Sequence, residues 1–469
     1  KELKKDLNKS YQNFRTDHSD TEVILKLYEL HEDKCINYLQ GMFSFAIWDA
    51  NKKKLFLARD HLGIKPLYYC DTNYGFIFAS EIKTICEIKK KMLKIENSIN
   101  ENLLNEYLVF GNIYGDQTLL NGIYNLQAGH TLSIENEKKN FNKYWSPSKN
   151  IDDNLKNESE LNIVDKLDDL IKTVFSEWSV SDVERGIFLS GGLDSNLINN
   201  FLSKGQEMEK FVLSFSNLSP QENEYNIIKK NFGNKIKKIN KIESSEEEIY
   251  ENLSKLISHT YLPLNNYNSL SFMHLCKKVS EQSKIKVLYS GDGADEIFGG
   301  YQRHYDVYND NESKNLNEEK ILIAKNYFTL ERLKIFDISK NNYFNQRLEI
   351  LNEFKSQKDM INSIKGVINK ILVNDQMSFL QGYLTRADQI GMMYGQEIRT
   401  PFCDERIVSF TNSIKGSLKV NSGKDNNITF KYILKKVAER YLPKDFVWSP
   451  NKLKFPAPIS KSFYDKELK

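Results

Sequence analysis

Six residues, Ser190-Gly191-Gly192-Leu193-Asp194-Ser195, stand directly between an apolar run, GIFLS, and a segment with helical periodicity around Leu197 to Leu202. Glycines let a backbone approach a phosphate closely, and a helix N-terminus offers unbonded N–H groups with a partial positive charge. The hydroxyls of Ser190 and Ser195 add donors. No Lys-Ser/Thr pair closes the loop, so transfer of a terminal phosphoryl group is not the chemistry expected. A plain Gly-Gly turn would need the same glycines, but the strand-loop-helix setting favours phosphate binding.

A second run, Ser290-Gly291-Asp292-Gly293-Ala294-Asp295-Glu296, leads into Phe298-Gly299-Gly300-Tyr301 and follows another short apolar strand, KVLYS. Ligands of open α/β sheets collect at the carboxyl ends of the strands, so the two loops are expected to face one crevice. Three carboxylates in one loop repel each other unless a cation holds them. The expectation is Mg²⁺ bound by Asp194 and Asp295 together with phosphate oxygens of ATP. The competing reading is a solvated acidic turn.

The elements that must carry these loops are legible in outline. Ile163, Leu167, Leu170, Ile171 and Val174 repeat on one helical face, followed by the strand GIFLS, its loop and a helix. FVLSF (211–215) and KVLYS (286–290) repeat the short apolar strand after helical stretches, which predicts a doubly wound parallel α/β sheet. Upstream, residues 21–39 predict a short amphipathic helix. MFSFAIWD, KKLFLARD, PLYYC and FIFASEI then predict an antiparallel meander, and 129–144 a further hairpin. A polar stretch over 146–160 (SPSKNIDDNLKNESE) predicts a linker, dividing the chain into units 1–145 and 161–469. Residues 305–375 are charged and expected to be mostly helical.

With 469 residues the chain is long enough for two cores. Sixty-six basic against 63 acidic residues leave a net charge of +3, which removes the electrostatic case for nucleic acid or an anionic membrane surface. No apolar run approaches the roughly 18 to 20 residues needed to cross a bilayer. Cys35, Cys70, Cys86, Cys276 and Cys403 lack CxxC or CxxH spacing, so a reducing, cytoplasmic setting is expected without a zinc site or disulfide framework. The seven histidines show no HxH or HExxH spacing. The aromatics Phe43, Phe45, Trp48, Tyr68 and Tyr69 are expected in sheet core, and Lys229, Lys230, Lys235, Lys237 and Lys238 on a solvated face.

SGGLDS and SGDGADEIFGGY, with RADQIGMM (386–393) and Glu397-Ile398-Arg399-Thr400-Pro401-Phe402 downstream, resemble the asparagine synthase family, in the variety found with surface-polysaccharide genes. The resemblance spans almost the whole chain. SDTEVI (19–24), GMFSFAIWD and ARDHLGIKPLYY (58–69) are similar to the class II glutamine amidotransferase domain that precedes the synthetase there. It implies a partial Ntn-type α+β amidotransferase domain followed by an ATP-pyrophosphatase domain with helical additions.

The resemblance also implies roles. Ser190, Gly191, Gly192, Asp194 and Ser195 would bind the pyrophosphate of ATP; Leu189, Val212, Ser290 and Gly291 would line the adenosine. Asp194 and Asp295 would ligate Mg²⁺. Asp292 stands where asparagine synthetases carry a glutamate and β-lactam synthetases a tyrosine, which favours amidation over ring closure. Glu397 would support the nucleophile or orient the substrate, and Lys452, in KLKFPAP, would neutralise charge on the α-phosphate. Asp20 resembles the ligand of the glutamine α-amine.

The family's N-terminal cysteine nucleophile has no counterpart here, and Lys1-Glu2-Leu3-Lys4 resembles the middle of the amidotransferase domain. The chain is therefore expected to be a piece of a longer protein. NFGNKIKKIN (231–240) replaces a histidine-bearing family motif, Asn223-Glu224 replaces an Asp-Glu pair, and Gly395 and Gln396 depart from the usual neighbours of Glu397. These departures leave the carboxylate acceptor open. Aspartate, a sugar uronate or a peptide side chain are the enzymatic choices, and a binding or scaffold protein with a decayed site is the alternative. A homodimer is compatible with the sequence and not specified by it.

Overall fold

The computed structural model describes residues 14–16, 19–203, 207–215, 223–262, 268–304, 364–422 and 428–449. Its N-terminal half is antiparallel. β1 (Ser44–Asp49), β2 (Lys54–Arg59), β6 (His130–Glu135) and β7 (Lys138–Lys143) form one sheet in that order. β3 (Tyr68–Thr72), flanked by β4 (Gly75–Ala79) and β5 (Ile123–Asn125), forms a second. The β6–β7 turn places Asn136 and Glu137 at φ 49° and 65°, the left-handed pair that a two-residue hairpin requires.

The expected meander breaks between β2 and β3. Asp60 accepts the backbone N–H groups of Phe43, Ile64 and Lys65, which curls residues 60–65 into a tight loop. Arg59, wholly buried, donates to the carbonyls of Gly63, Lys65 and Leu126. With the chain redirected, β2 completes its ladder with β6 instead of β3. The predicted helix over 21–39 also ends early: it spans Asp20–His31, and Glu32, at φ 50°, turns the chain into a 3₁₀ segment.

The C-terminal half is built on a five-stranded parallel sheet of β8 (Arg185–Phe188), β9 (Glu209–Phe215), β10 (Ile239–Ser244), β11 (Val287–Tyr289) and β12 (Glu397–Arg399). Its order is β10-β9-β8-β11-β12. The chain runs outward from β8 through β9 to β10, then returns to the other side of β8. Ligand-binding crevices of such sheets open where the winding reverses, and here that point lies between β8 and β11.

The helix Glu160–Trp178 covers the sheet. Ser159 caps it by accepting the Asn162 N–H, and Ile163, Leu167, Ile171 and Val174 are buried on one face. Each such side chain contributes about 1.5–3 kcal/mol on burial. The polar segment read as a linker is pinned to this half. Asn412 donates to the Pro147 carbonyl at 3.1 Å, and Ser413 Oγ accepts the Asp152 N–H at 2.8 Å. Lys65–Asp388, at 2.6 Å, and Arg59–Thr385 bind the two halves to each other. The helix Ile364–Met377 falls at the end of the stretch expected to be helical; residues 305–363 lie outside the described residues.

Candidate active site

The first loop leaves β8 and enters the helix Leu193–Leu202, whose N-cap is Gly192. Its serines shape the loop itself. Ser195 Oγ accepts the Ser190 N–H at 3.0 Å and meets Ser190 Oγ at 2.9 Å, while Ser190 Oγ accepts the Gly192 N–H at 3.1 Å. Asn196, unnoticed in the sequence, ties the Ser190 and Gly192 carbonyls at 2.8 and 2.7 Å. The serine hydroxyls expected to reach a phosphate are thus engaged in holding the loop.

The second loop leaves β11, where Ser290 N–H donates to the Arg399 carbonyl. Gly293, at φ 89°, starts the helical turn Ala294–Phe298. The loops touch: a Cβ on Gly291 would lie 2.9 Å from Asp194 Cβ and 3.3 Å from the Ser195 nitrogen. A Cβ on Gly293 would overlap Cys403 Sγ. Gly293→Ala therefore combines a left-handed backbone with an overlap in the core, and a loss of about 2–4 kcal/mol is expected in denaturant unfolding.

Asp194 and Asp295 meet on one side chain, Lys431, whose Nζ lies 2.6 Å from Asp194 Oδ2 and 2.8 Å from Asp295 Oδ1. Lys431, at φ 52°, caps the helix Tyr432–Ala438 and donates its N–H to the Gly299 carbonyl. Burial by itself would lower its ammonium, but the two carboxylates outweigh that and hold it above the ordinary lysine value. No motif in the sequence singles this lysine out. Asp292 receives the Ser290 hydroxyl at 2.8 Å; burial, followed by the charges of Asp295 and Asp194, raises its carboxyl.

The remaining sequence candidates are spread more widely. Leu189 and Val212 are buried in the core, so their side chains are spent on packing and only backbone remains to face a nucleoside. Glu397 begins β12 and is held by Arg399 Nε at 2.6 Å, with no bond to Asp292 among the described residues. Asp20 lines a cleft between the two halves with Gly41, Trp178, Arg399 and Arg406. Lys452 lies outside the described residues.

An antiparallel α+β half followed by an open parallel α/β sheet with two glycine-rich loops at its switch point is the architecture of a two-part enzyme with a ligand crevice at the sheet's carboxyl edge. Residues 166–469 match the family described as asparagine synthase, and residues 1–145 match the glutamine amidotransferase domain. The chain belongs to the asparagine synthase family, whose members are amidotransferase-type ligases that use ATP as substrate. It is 29% identical to asparagine synthetase [glutamine-hydrolyzing] 1 of Bacillus subtilis (strain 168), over 98% of this chain and 74% of the relative. It is 27% identical to number 3 of the same organism, over 95% and 72%, and 32% identical to number 2, over 64% and 41%.

Proposed function

We propose that this chain amidates aspartate to asparagine through a β-aspartyl-AMP intermediate, with glutamine or ammonia as nitrogen donor and AMP and pyrophosphate as products. The observation that carries the reading is the meeting of Asp194 and Asp295, from the two glycine-rich loops, on Lys431. A carboxylate is a poor electrophile. Attack of its oxygen on the α-phosphorus converts it into an acyl-adenylate with AMP as leaving group, while negative charge gathers on phosphate oxygens.

Mg²⁺ fits this place. Two partly exposed carboxylates are the number of protein ligands such an ion takes beside nucleotide phosphates. Bound there, the ion would neutralise charge on the phosphates. The chain's own part is to fix the two aspartates through Lys431 and to offer the N-terminal end of the helix Leu193–Leu202, the N–H groups of Ser190, Gly191 and Gly192 being bonded within the protein. Asp292, with its raised carboxyl, is suited to take the surplus proton when ammonia attacks the acyl carbon. Asp20 would hold the α-amine of glutamine. The five thiols, all buried and unpaired, suit a reducing cytoplasm.

A second reading keeps the chemistry and changes the acid to a sugar uronate or a peptide side chain. Asn223-Glu224 and Gly395-Gln396, which depart from the family pattern, favour it. Pyrophosphate release decides between them: ATP, Mg²⁺ and ammonium are supplied with aspartate or with the alternative acids. Release with aspartate is the expected result. Release only with another acid moves the substrate, and neither release nor ATP binding leaves a non-catalytic relative.

A further inference from the structure

Glu224 is the first residue of the helix Glu224–Phe232, at the carboxyl end of the parallel sheet and beside the first loop. Asn223 anchors that helix start by donating to Ser214 Oγ at 2.7 Å and to the Phe215 carbonyl at the end of β9. The Glu224 side chain is 3% exposed. Its carboxyl accepts the Gly191 N–H, while Oε2 is buried without a hydrogen-bond partner among the described residues. A buried carboxylate with neither a cation nor a second donor is costly, so the group stays neutral and has a hydroxyl to donate.

The surrounding charges do not change this. Its own helix carries Tyr225, Lys229 and Lys230; β9 carries Glu209 and Lys210, the following turn Lys235, the first loop Asp194, and the helix packed through Phe446 carries Lys444 and Asp445. None of them sets the Glu224 carboxyl: burial pushes it up to about 8, opposed by the Gly191 N–H.

We propose that Glu224 is a positioning residue of the nucleotide site that works as a neutral carboxylic acid, one oxygen fixing the loop through Gly191 and the protonated oxygen donating to the bound triphosphate. The proposal rests on the nucleotide reading of the first loop. Ionised, the same group would set a negative charge against the triphosphate and lose its donor. Nucleotide affinity is therefore highest where the acid is protonated.

The test is ATP binding in the presence of Mg²⁺, followed by calorimetry from about pH 6.5 to 9.5 for the wild type and Glu224→Gln, which keeps shape and donor without an ionisable proton. Wild-type affinity is expected to stay level up to about pH 8 and then to fall towards tenfold per pH unit. Glu224→Gln is expected to bind within about threefold of wild type near neutrality and to lose the fall. A level wild-type profile, or the same fall in Glu224→Gln, overturns the proposal. Should Glu224→Gln not fold, Glu224→Met takes its place, with weaker binding and a flat profile expected and a wild-type fall overturning. Absence of ATP binding at every pH removes the nucleotide reading itself, whereas binding with a flat profile removes only the role of Glu224.

Stability supplies a second readout. In the unfolded chain Glu224 ionises in the ordinary glutamate range, so the wild-type fold loses stability as pH rises from there to about 8. Glu224→Gln removes that part of the slope in thermal unfolding, and an unchanged slope counts against a neutral acid at this position.

Discussion

Lys431→Met lowers ATP-dependent pyrophosphate release by about a hundredfold or more. In the wild type the ammonium sits 2.6 and 2.8 Å from oxygens of Asp194 and Asp295. Methionine keeps the length and apolar stem of the side chain but removes the charge. Two carboxylates that shared one nitrogen at 2.6 and 2.8 Å then repel by on the order of 3 kcal/mol at an effective dielectric of about 20. Because the two carboxylates are partly exposed, the cost stays below the roughly 3–5 kcal/mol of a fully buried pair, and about 1.4 kcal/mol is a factor of ten in rate.

The carboxylates relieve the repulsion by moving apart, and the loops that bear them move as well. The loss therefore falls on kcat/KM for ATP, with a smaller fall in the unfolding midpoint. A variant with wild-type turnover would show that the contact of Lys431 with both aspartates does not serve the reaction.

Gly300→Ala is the companion experiment, since it leaves every charge in place. A Cβ at this position would overlap Asp295 Oδ1 and Lys431 Cε. One methyl group thus separates the carboxylate from the ammonium, and neither can give way without leaving the other. Activity is expected to fall about as far as in Lys431→Met, while overpacking costs the fold only about 1–3 kcal/mol. Parallel pyrophosphate-release and denaturant titrations separate the two effects. Loss of fold in step with loss of activity would make Gly300 a packing residue and nothing more.

These two variants bear on opposite sides of what the sequence discloses. Gly300 lies inside a readable motif, because a glycine pair after an acidic turn announces a place where backbone comes close to something. What it comes close to is set by the ion pair across from it. Lys431 lies in KYILKK, where one lysine resembles its neighbours, and its partner Asp194 is 237 residues away. Charge pairing over such a separation leaves no local periodicity, so no sequence signal could have found it.

The fold shows the same division. Strand-loop-helix units around β8 and β11 were legible because apolar runs and turn glycines are local properties of the chain. The split of the N-terminal meander was not, because it depends on Asp60 and Arg59 gathering backbone groups from residues 43 to 126. Nor was the use of Ser190 and Ser195 to brace their own loop, since a hydroxyl beside a glycine serves a phosphate or a backbone N–H equally well by type.

The sequence by itself determined two glycine-bearing acidic loops, each at the end of a parallel strand, and with them the class of chemistry. Tertiary structure alone decided that β11 lies against β8, that Asp194 and Asp295 face one another, and that Lys431 stands between them. The reason is physical: backbone conformation answers to neighbours along the chain, whereas the energy of a charge answers to whatever the fold brings within a few ångströms.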